Sequence, residues 1–540
     1  MKTTPTYTLG LDFGTLSVRA LIVDVRDGRA VAEAVSEYAH GVMDSTLPDG
    51  TSLPARFALH HPQDYLDSMK TAIGEALAAA HTAEGVTPDQ IAAMGVDFTA
   101  CTMLPVDRGG MPLCMDPAFA DEPHAYVKLW KHHGATEEAD EITALAAARG
   151  EEWLSAYGGT VSCEWMLPKI LETLRKAPAV FKAAHRFMEA ADWLSLLLTG
   201  RETHAAAFAG YKGLWYEGTY PSEAFLTALD PALGGLVGDK VAPTVDPVGE
   251  IAGRLTEYGA ALTGLPVGTP MALPMIDAHA ALPATGMTRA GDLTVILGTS
   301  TCHILNSDRL KKIQGVCGYV KDGVIPALYT YEAGQAAVGD CFDWFVKNCV
   351  PAGYTEAAQA AGLGIHAYLR SLAERKAPGE SGVMALDWWN GNRSILMDQT
   401  LTGTIVGLTL ATKPEDIYRA LIEATAFGTR VIVEQFEKGR LSIHRIMAAG
   451  GIARKDPMMM QIYADVLDRP IEVSKATQTG ALGSAIYAAV AGGAYPSVTE
   501  AADRMAAKVE RVYEPEPITV RVYGEMFGKY KELYEYFGKR

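Results

Sequence analysis

Hydrophobic and polar positions alternate near the start of the chain in the pattern of paired strands. Over Tyr7–Phe13 (YTLGLDF), leucine and phenylalanine alternate with glycine and aspartate, which is the period of a half-buried strand. An apolar, β-branched run over residues 18–25 predicts a second strand, and only a short break at a glycine-threonine pair separates the two. Two strands with so short a connection form a β-hairpin.

The turn of this hairpin collects groups suited to a metal ion and a polyphosphate. Asp12 lies at the end of the first strand, and Gly14 permits a tight turn in which Thr15 can point amide and hydroxyl donors at one spot. Ser17 and Arg19 add a further hydroxyl and a positive charge. A carboxylate beside such donors is typical of a site that binds a cation and phosphates. The alternative is an ordinary hairpin in which Asp12 is a turn residue.

A second copy of the pattern occurs in the other half of the chain. The stretch 292–306 (DLTVILGTSTCHILN) again alternates, breaks at Gly298 and Thr299, and continues as an apolar run. The separation is far too long for a solenoid repeat. The recurrence predicts two related domains, each offering a phosphate-binding hairpin to one nucleotide held between them; chance recurrence of a short pattern is the alternative.

The remaining periodicities predict an α/β chain. Helices are predicted over 62–81, 122–150, 164–176, 187–200, 416–438, 456–467 and 479–490. Strands are predicted over 91–99, 271–276, 329–333 and 445–449, and an aromatic-rich loop over 207–216. His132 and His133 are adjacent, so they point to different helix faces and are expected to be solvated rather than metal-binding. Because the length exceeds that of a single core, we expect domains at 1–287 and 288–500, with a docked helical tail at 501–540.

Composition excludes several classes of protein. Of 540 residues, 49% are hydrophobic and 21% charged, which is ordinary for a globular protein, and the net charge of −17 disfavours partners such as nucleic acid or anionic membrane. The 7 cysteines are scattered without a C-x-x-C pair, which argues against a disulfide framework and a zinc site. No signal-peptide segment or membrane-spanning run is found, so a cytoplasmic location is expected.

Asp277 is the strongest candidate for a general base. It follows an apolar strand, stands among small residues and precedes the second hairpin. If two hairpins grip a nucleotide's phosphates, a hydroxyl acceptor needs such a carboxylate nearby. The alternative role for Asp277 is a helix N-cap.

Other candidates are open to two interpretations each. Lys212, in the aromatic loop, is either a ligand for substrate oxygen or a surface lysine, with sequence slightly favouring the surface. Glu332, before Gly334, is either a sugar ligand or a turn residue, and the same choice applies to Asp97 and Thr99 at the end of MGVDFT. The absence of G-x-x-x-x-G-K-[ST] and of G-x-G-x-x-G in the first hairpin argues against a P-loop NTPase and a dinucleotide dehydrogenase.

A glycine pair marks another position at which a ligand can approach the backbone closely. Gly450 and Gly451 lie between the strand at 445–449 and the helix at 456–467, so a flat base or a phosphate can approach the backbone. The small-residue helix at 479–490 is expected to pack closely against that site.

Together these motifs resemble the FGGY carbohydrate kinases. The resemblance rests on GLDFGT, LGTSTCH and the late glycine pair, and more sharply on HPQDYL, KLWKHH and DWWNGNR, and it runs from about residue 7 to 495. It implies two ribonuclease-H-like domains of the actin and hexokinase type, with an interdomain cleft closing around MgATP and a ketopentose. It also implies ATP-dependent phosphorylation of L-ribulose at O5 in arabinose catabolism.

The resemblance assigns roles to individual residues. Asp277 would be the catalytic base and Asp12 a ligand of Mg²⁺. The phosphates would lie near Thr15, Ser17, Arg19, Gly298 and Thr299, the adenosine along Gly450 and Gly451, and the sugar among Thr99, Ala100, Lys212 and Glu332. Where relatives often carry Asn after the glycine pair, this chain has Asp456, which stays among the nucleotide-side candidates.

Three rival functions follow from the same residues. One is a kinase for another ketopentose or a pentitol, the second an actin-like or chaperone-like ATPase, and the third a sugar sensor that binds without releasing ADP. The expected partners are a small sugar and ATP, and a homodimer is a compatible assembly.

Overall fold

The computed structural model describes residues 7–539, in which strands and helices alternate. The strands are β1 Tyr7–Phe13, β2 Ser17–Asp24, β3 Ala30–Glu37, β4 Leu59–His60, β5 Ile91–Phe98, β6 Met103–Val106, β7 Val127–Lys128, β8 Arg186–Glu189, β9 Ile251–Arg254, β10 Pro270–Ala272, β11 Met275–Ile276, β12 Asp292–Leu297, β13 Thr301–Ser307, β14 Gly318–Lys321, β15 Tyr329–Gln335, β16 Met384–Leu386, β17 Thr404–Val406, β18 Arg445–Ala449, β19 Ile471–Ser474 and β20 Val509–Tyr513.

The helices are α1 Pro62–Glu84, α2 Thr136–Arg149, α3 Glu152–Ala156, α4 Met166–Lys176, α5 Pro178–Ala183, α6 Ala190–Thr199, α7 Ala206–Lys212, α8 Glu223–Leu229, α9 Leu236–Asp239, α10 Glu257–Thr263, α11 Asp277–Ala284, α12 Gly339–Cys349, α13 Ala352–Ala360, α14 Ile365–Ala373, α15 Pro414–Lys438, α16 Gly451–Lys455, α17 Pro457–Leu467, α18 Thr479–Ala491, α19 Val498–Met505 and α20 Pro517–Gly538. Between residues 7 and 539, no helix has the length and apolarity needed to cross a membrane.

The chain divides into two compact units. Among the described residues, the first comprises 7–288, Gly318–Thr330 and Gln478–Ala507, and the second comprises Arg289–Cys317, Tyr331–Thr477 and 508–539. The units therefore differ from the predicted segments 288–500 and 501–540, because α18 and α19 belong to the first unit and the last strand and helix belong to the second. Sequence turns mark where the chain changes direction, but they do not reveal a later helix that returns to the first unit.

Each unit is built on a sheet of the same design. In the first, the strand order is β3-β2-β1-β5-β10-β9, with β1, β2 and β3 antiparallel and β5 parallel to β1. In the second, the order β15-β13-β12-β18-β19-β20 repeats the antiparallel hairpin followed by parallel strands. Both predicted hairpins are confirmed, as is the predicted α/β, ribonuclease-H-like fold class.

Helix α18 covers the first sheet at very short range because the sequence supplies glycine where backbones meet. A methyl group on Gly10 of β1 would lie 1.8 Å from the carbonyl oxygen of Ala481, and one on Gly95 of β5 would lie 2.0 Å from that of Ser484. Only glycine permits this approach. The predicted helix at 479–490 is thus confirmed, and it packs on the first sheet.

Several predicted elements differ from those observed. Within the predicted helix over 122–150, only α2 is α-helical, because the segment begins with a short 3-10 turn at Pro123–Ala125 and β7 joins a small sheet. His132 there is fully buried and hydrogen-bonded to Glu172 Oε2 at 3.0 Å, so the expectation of a solvated side chain was wrong. Its half-exposed neighbour His133 fits that expectation.

Two further corrections concern strand and loop boundaries. The predicted loop over 207–216 begins as helix α7, whose aromatic and alanine residues are buried. The predicted helix over 187–200 begins as β8 and becomes helical only in α6. In both segments burial against neighbouring elements outweighs local propensity.

Candidate functional site

Three neighbouring strand ends of the first unit bring carboxylates to one edge of the sheet. Asp12 of β1 lies opposite Asp97 of β5 in the parallel register. Strand β11 pairs with β5 so that Met275 lies opposite Asp97, and Asp277 follows as the first residue of α11. The carboxyl ends of parallel strands are where open α/β sheets place ligands.

Asp97 is the most buried of the three. Its exposed fraction is 0%, its Oδ2 accepts a 2.6 Å hydrogen bond from the Ser484 hydroxyl, and its Oδ1 has no donor within the part of the chain described. A methyl group on Gly480 would lie 3.0 Å from Asp97 Oδ1 and 3.1 Å from Asp12 Oδ2, so both oxygens face the start of α18. Burial, and secondarily the charge of Asp12, raise the pKa of Asp97 well above its usual range.

The first hairpin turn surrounds Asp12 with the groups predicted from sequence. Arg19 Nη1 lies 3.2 Å from Asp12 Oδ2. The Gly14 amide donates to the Ser17 carbonyl at 3.0 Å, which closes the turn, and Thr15 Oγ1 accepts from the Trp130 indole at 3.1 Å. Thr15 is part-exposed and Ser17 is buried within the hairpin. Arg19 therefore lies against Asp12, and Thr15 and Ser17 belong to the same hairpin turn.

The donor set at this edge fits a hard divalent cation. Asp12 is partly exposed, and Asp97 beside it keeps a buried oxygen without a donor. Carboxylate oxygens, completed by water and phosphate, are the ligands that Mg²⁺ prefers.

The predicted sugar-side residues of the first unit form a rigid turn after β5. Thr99 is buried, Ala100 is partly exposed, and Cys101 adopts a left-handed backbone with φ 59°. The ammonium of Lys169, on α4, donates to the Cys101 carbonyl at 2.6 Å and fixes that conformation. Lys169 was not among the sequence candidates, although a lysine on an apolar helix face was a usable signal.

Lys212 lies beside this turn and is not a surface lysine. It is the last residue of α7 and only 7% exposed. Burial raises the pKa of the Cys101 thiol, and the charge of Lys212 opposes that shift. Helix α7 is held there by a ring contact of 4.5 Å between Tyr211 and His279, the latter on α11 with Asp277.

Glu189 is a buried carboxyl behind the same turn. Its Oε2 accepts from the Thr102 amide at 3.0 Å, and Oε1 has no donor among residues 7–539. Burial raises the pKa of Glu189 to about 7, against the opposing charge of Lys169. No sequence pattern pointed to Glu189, because its burial arises from elements distant in the chain.

In the second unit the β12–β13 hairpin presents an exposed turn without an acid. Thr299 is exposed, and the Val338 and Gly339 amides donate to the carbonyls of Thr299 and Gly298 at 2.9 and 3.0 Å. A methyl group on Gly339 would lie 2.8 Å from the Gly298 carbonyl, so this support requires glycine. Gly339 was missed because its role depends on a contact across the fold.

The glycine pair follows β18 at the neighbouring strand end. Gly450 has φ 99°, and a methyl group there would lie 2.3 Å from the Leu297 carbonyl, whereas Gly451 has open space around it. Asp456 caps α17, accepting from the Met459 amide at 2.9 Å, and its exposed fraction is 9%. The structure thus gives Asp456 a role as the N-cap of α17, and this role explains its position without a bound ligand.

Glu332 lies within β15 and not in a turn. The strand continues through Gly334 to Gln335, so the predicted break was wrong. The carboxylate is 5% exposed and lies 3.3 Å from Arg393 Nη2 in the DWWNGNR motif. Glu332 belongs to the second unit, while Thr99, Ala100 and Lys212 belong to the first.

Known proteins match the chain over nearly its full length. The N-terminal domain of the FGGY family of carbohydrate kinases matches residues 7–283, and the C-terminal domain of that family matches residues 293–492. A ribulokinase of Bacillus licheniformis is 46% identical over 97% of this chain and 96% of its own length. A ribulokinase of Mycolicibacterium smegmatis is 46% identical over 99% and 94%.

Solved structures agree in fold. The xylulose kinase of Rhodospirillum rubrum matches with a TM-score of 0.82 at 25% identity, covering 99% of this chain and 100% of its own. The Plasmodium falciparum glycerol kinase with ADP matches with a TM-score of 0.78 at 16% identity, covering 98% of each chain. With both family domains matched in order and relatives aligned from end to end, the chain belongs to the FGGY family of carbohydrate kinases.

Proposed function

We propose that the protein is an ATP-dependent ribulokinase that phosphorylates L-ribulose at O5. Family membership supports the reaction type, and relatives named ribulokinase at 46% identity over 97% of the chain support the sugar. The observation that carries the proposal is the position of Asp277, which starts α11 at the strand edge shared with Asp12 and Asp97. This shared edge supports a base that acts beside a phosphate and cation site.

The chemistry proposed for Asp277 is proton removal from O5. As O5 forms a bond to the γ-phosphorus, the bond between that phosphorus and the β,γ-bridging oxygen breaks, and ADP departs. The Ala278 amide donates to Asp277 Oδ1 at 2.7 Å and orients the carboxylate, which accepts the O5 proton.

Phosphates and a cation are assigned to the two hairpins. Asp12 would hold Mg²⁺, which when bound neutralises charge on the transferring phosphoryl group. Thr15, Ser17 and Arg19 would orient phosphate oxygens in the first unit. In the second unit Gly298 and Thr299 would offer backbone donors, Gly450 and Gly451 would border the adenosine, and Asp456 would act through the helix that it caps.

The sugar is assigned to the rigid turn and its lysine. Thr99, the Ala100 backbone and the buried ammonium of Lys212 would bind hydroxyl and carbonyl oxygens, and Glu332 would accept from a sugar hydroxyl. We further propose a cytoplasmic enzyme of arabinose catabolism, with a homodimer as the assembly to test.

A coupled ADP-release assay tests the proposal. L-ribulose, D-ribulose, D-xylulose and ribitol are each supplied with MgATP, beside a reaction without sugar. We expect the highest kcat/KM with L-ribulose and little ADP without sugar. Preference for D-xylulose would favour a kinase for another ketopentose, which the fold match to a xylulose kinase also accommodates. Equal ADP release in all reactions would contradict sugar kinase activity.

A further inference from the structure

The proposed reaction leaves the middle carboxylate of the acidic edge without a role. Asp277 serves as base and Asp12 as cation ligand, but Asp97 lies opposite Asp12 in the register and is fully buried. Burying a carboxylate is costly unless it is paired with opposite charge or fully hydrogen-bonded. A residue with no chemical task at this position would be better replaced by an apolar one.

The surroundings of Asp97 do not supply the missing partner. Its Oδ2 is satisfied by the Ser484 hydroxyl, but Oδ1 has no donor, and no ion pair to Asp97 is found in residues 7–539. Its neighbour in the register is another carboxylate, Asp12, and a methyl group on Gly480 would lie 3.0 Å from Asp97 Oδ1 and 3.1 Å from Asp12 Oδ2. The nearby cation Arg19 bonds to Asp12 instead. A pair of carboxylates with an oxygen left without a donor offers the ligands that hard divalent cations prefer.

Helix α18 packs against the two carboxylates of Asp12 and Asp97. Gly480 lies in its first turn, against both Asp12 and Asp97, where any side chain would crowd the two carboxylates. Ser484 lies one turn later on the same face and orients Asp97 so that Oδ1 is the oxygen facing Asp12. The small residues of α18 therefore keep space beside the acid pair.

We propose that Asp97 is a second carboxylate of the divalent-cation site, with Oδ1 facing the ion, so that the cation is held by the Asp12–Asp97 pair. This inference rests on the proposed function for the presence of a nucleotide-bound cation. It assigns Asp97 to the metal and not to the sugar. It also gives a purpose to Ser484 and Gly480, which the reaction does not otherwise use.

Manganese binding to the full chain tests the inference independently of turnover. Free Mn²⁺ is measured by electron paramagnetic resonance during titration in the presence of β,γ-methylene-ATP. Asp97→Asn keeps the size of the side chain and removes its charge. We expect Mn²⁺ affinity to fall at least ~10-fold, because the affinity of carboxylate sites follows their ligand charge. Gly480→Ala, which adds a methyl group against both carboxylates, should also weaken Mn²⁺ binding.

The matched control is Asp24→Asn. Asp24 is also buried and belongs to the same hairpin, but it pairs with Tyr7, roughly 17 Å along the strand from Asp12. We expect its Mn²⁺ affinity to equal that of the wild type. If Asp97→Asn fails to fold, judged by its circular-dichroism melt, Asp97→Thr removes the same charge with a residue suited to a strand.

The outcomes separate the inference from the proposed function. Wild-type Mn²⁺ affinity in the folded Asp97 variant would overturn the assignment of Asp97. Absence of Mn²⁺ binding by the wild type would overturn the whole cation site. Intact Mn²⁺ binding with the expected loss in Asp97→Asn, but no ADP release with any sugar, would support the cation pair and contradict the kinase.

Discussion

The two hairpins share their geometry and differ in charge. In the first unit, β1 and β2 turn at Gly14 and Thr15, and Asp12 stands two residues before the glycine. In the second unit, β12 and β13 turn at Gly298 and Thr299, and the corresponding position is Ile296. One turn therefore presents a carboxylate with its arginine, and the other presents amide and hydroxyl donors alone.

The neighbouring strand carries the same contrast. Asp12 lies opposite Asp97 of β5, whereas Ile296 lies opposite Ala449 of β18, which the glycine pair follows. The same hairpin and strand arrangement thus carries carboxylates in the first unit, which we call the acidic edge. In the second unit it carries the glycine pair Gly450 and Gly451 instead, which we call the bare backbone edge. The difference indicates that the acidic edge of the first unit is suited to a cation and a base, and the backbone edge of the second unit to phosphate oxygens and a flat base.

The largest expected effect comes from removing the proposed base on the acidic edge. Asp277→Asn keeps the shape of the side chain but cannot accept the O5 proton. We expect kcat to fall at least ~10²-fold with ATP binding retained, the usual loss for a general base. Steady-state kinetics and calorimetric binding of an ATP analogue measure the two effects. Turnover near that of the wild type would remove Asp277 from this role.

Substitution of the two adjacent glycines tests the bare backbone edge. Gly450→Ala places a methyl group 2.3 Å from the Leu297 carbonyl at φ 99°, and Gly451→Ala meets open space. We expect Gly450→Ala to lower the free energy of unfolding by about 2–4 kcal/mol. Gly451→Ala should leave stability unchanged and raise the KM for ATP alone.

Urea titrations and ATP kinetics on both glycine variants give the measurement. Equal stability of the two variants would contradict the assigned backbone geometry. An unchanged KM for ATP in Gly451→Ala would contradict the placement of the nucleotide along this edge.

A buried acid behind the sugar-side turn should make stability depend on pH. Burial raises the Glu189 pKa from 4.5 to about 7, so the folded state binds more protons than the unfolded state between these values. The free energy of unfolding should therefore fall as pH rises through this window and level off above it, by up to about 3 kcal/mol. Glu189→Gln should remove this fall. Parallel pH profiles of the two proteins would contradict the assignment.

The smallest expected effect concerns the lysine beside the turn. Lys212→Met keeps the length of the side chain and removes its charge. We expect the KM for L-ribulose to rise about 10-fold, the loss expected for a hydrogen bond to a charged group, with the KM for ATP unchanged. Unaltered sugar kinetics would contradict a role for Lys212 in the sugar pocket.

Local sequence patterns were sufficient to predict those strands and helices whose pattern of hydrophobic residues lies within one continuous stretch. Both hairpins, α1, β5 and β18 match their predicted positions, because alternation and helical spacing are read within one stretch. The local pattern slightly favoured a surface position for Lys212 and predicted a solvated His132, whereas both are buried by elements distant in the chain. The capping role of Asp456 could not be predicted, because it depends on the exact residue at which α17 begins.

Long-range contacts explain what the sequence could not provide. Gly480 lies against Asp97, Ser484 bonds to it across 387 positions of the chain, and α18 rejoins the first unit between two segments of the second. No short pattern encodes such a return. The acidic edge was therefore predictable as separate carboxylates, but not as one cluster.

Phosphorus NMR of the reaction product tests the central claim most directly. Full-length protein, MgATP and L-ribulose are incubated, and the product phosphorus is correlated with its neighbouring protons and carbons. The account predicts a phosphate ester on the methylene oxygen of C5, formed in step with ADP. Inorganic phosphate as the only new phosphorus species, or an ester at another carbon, would contradict it.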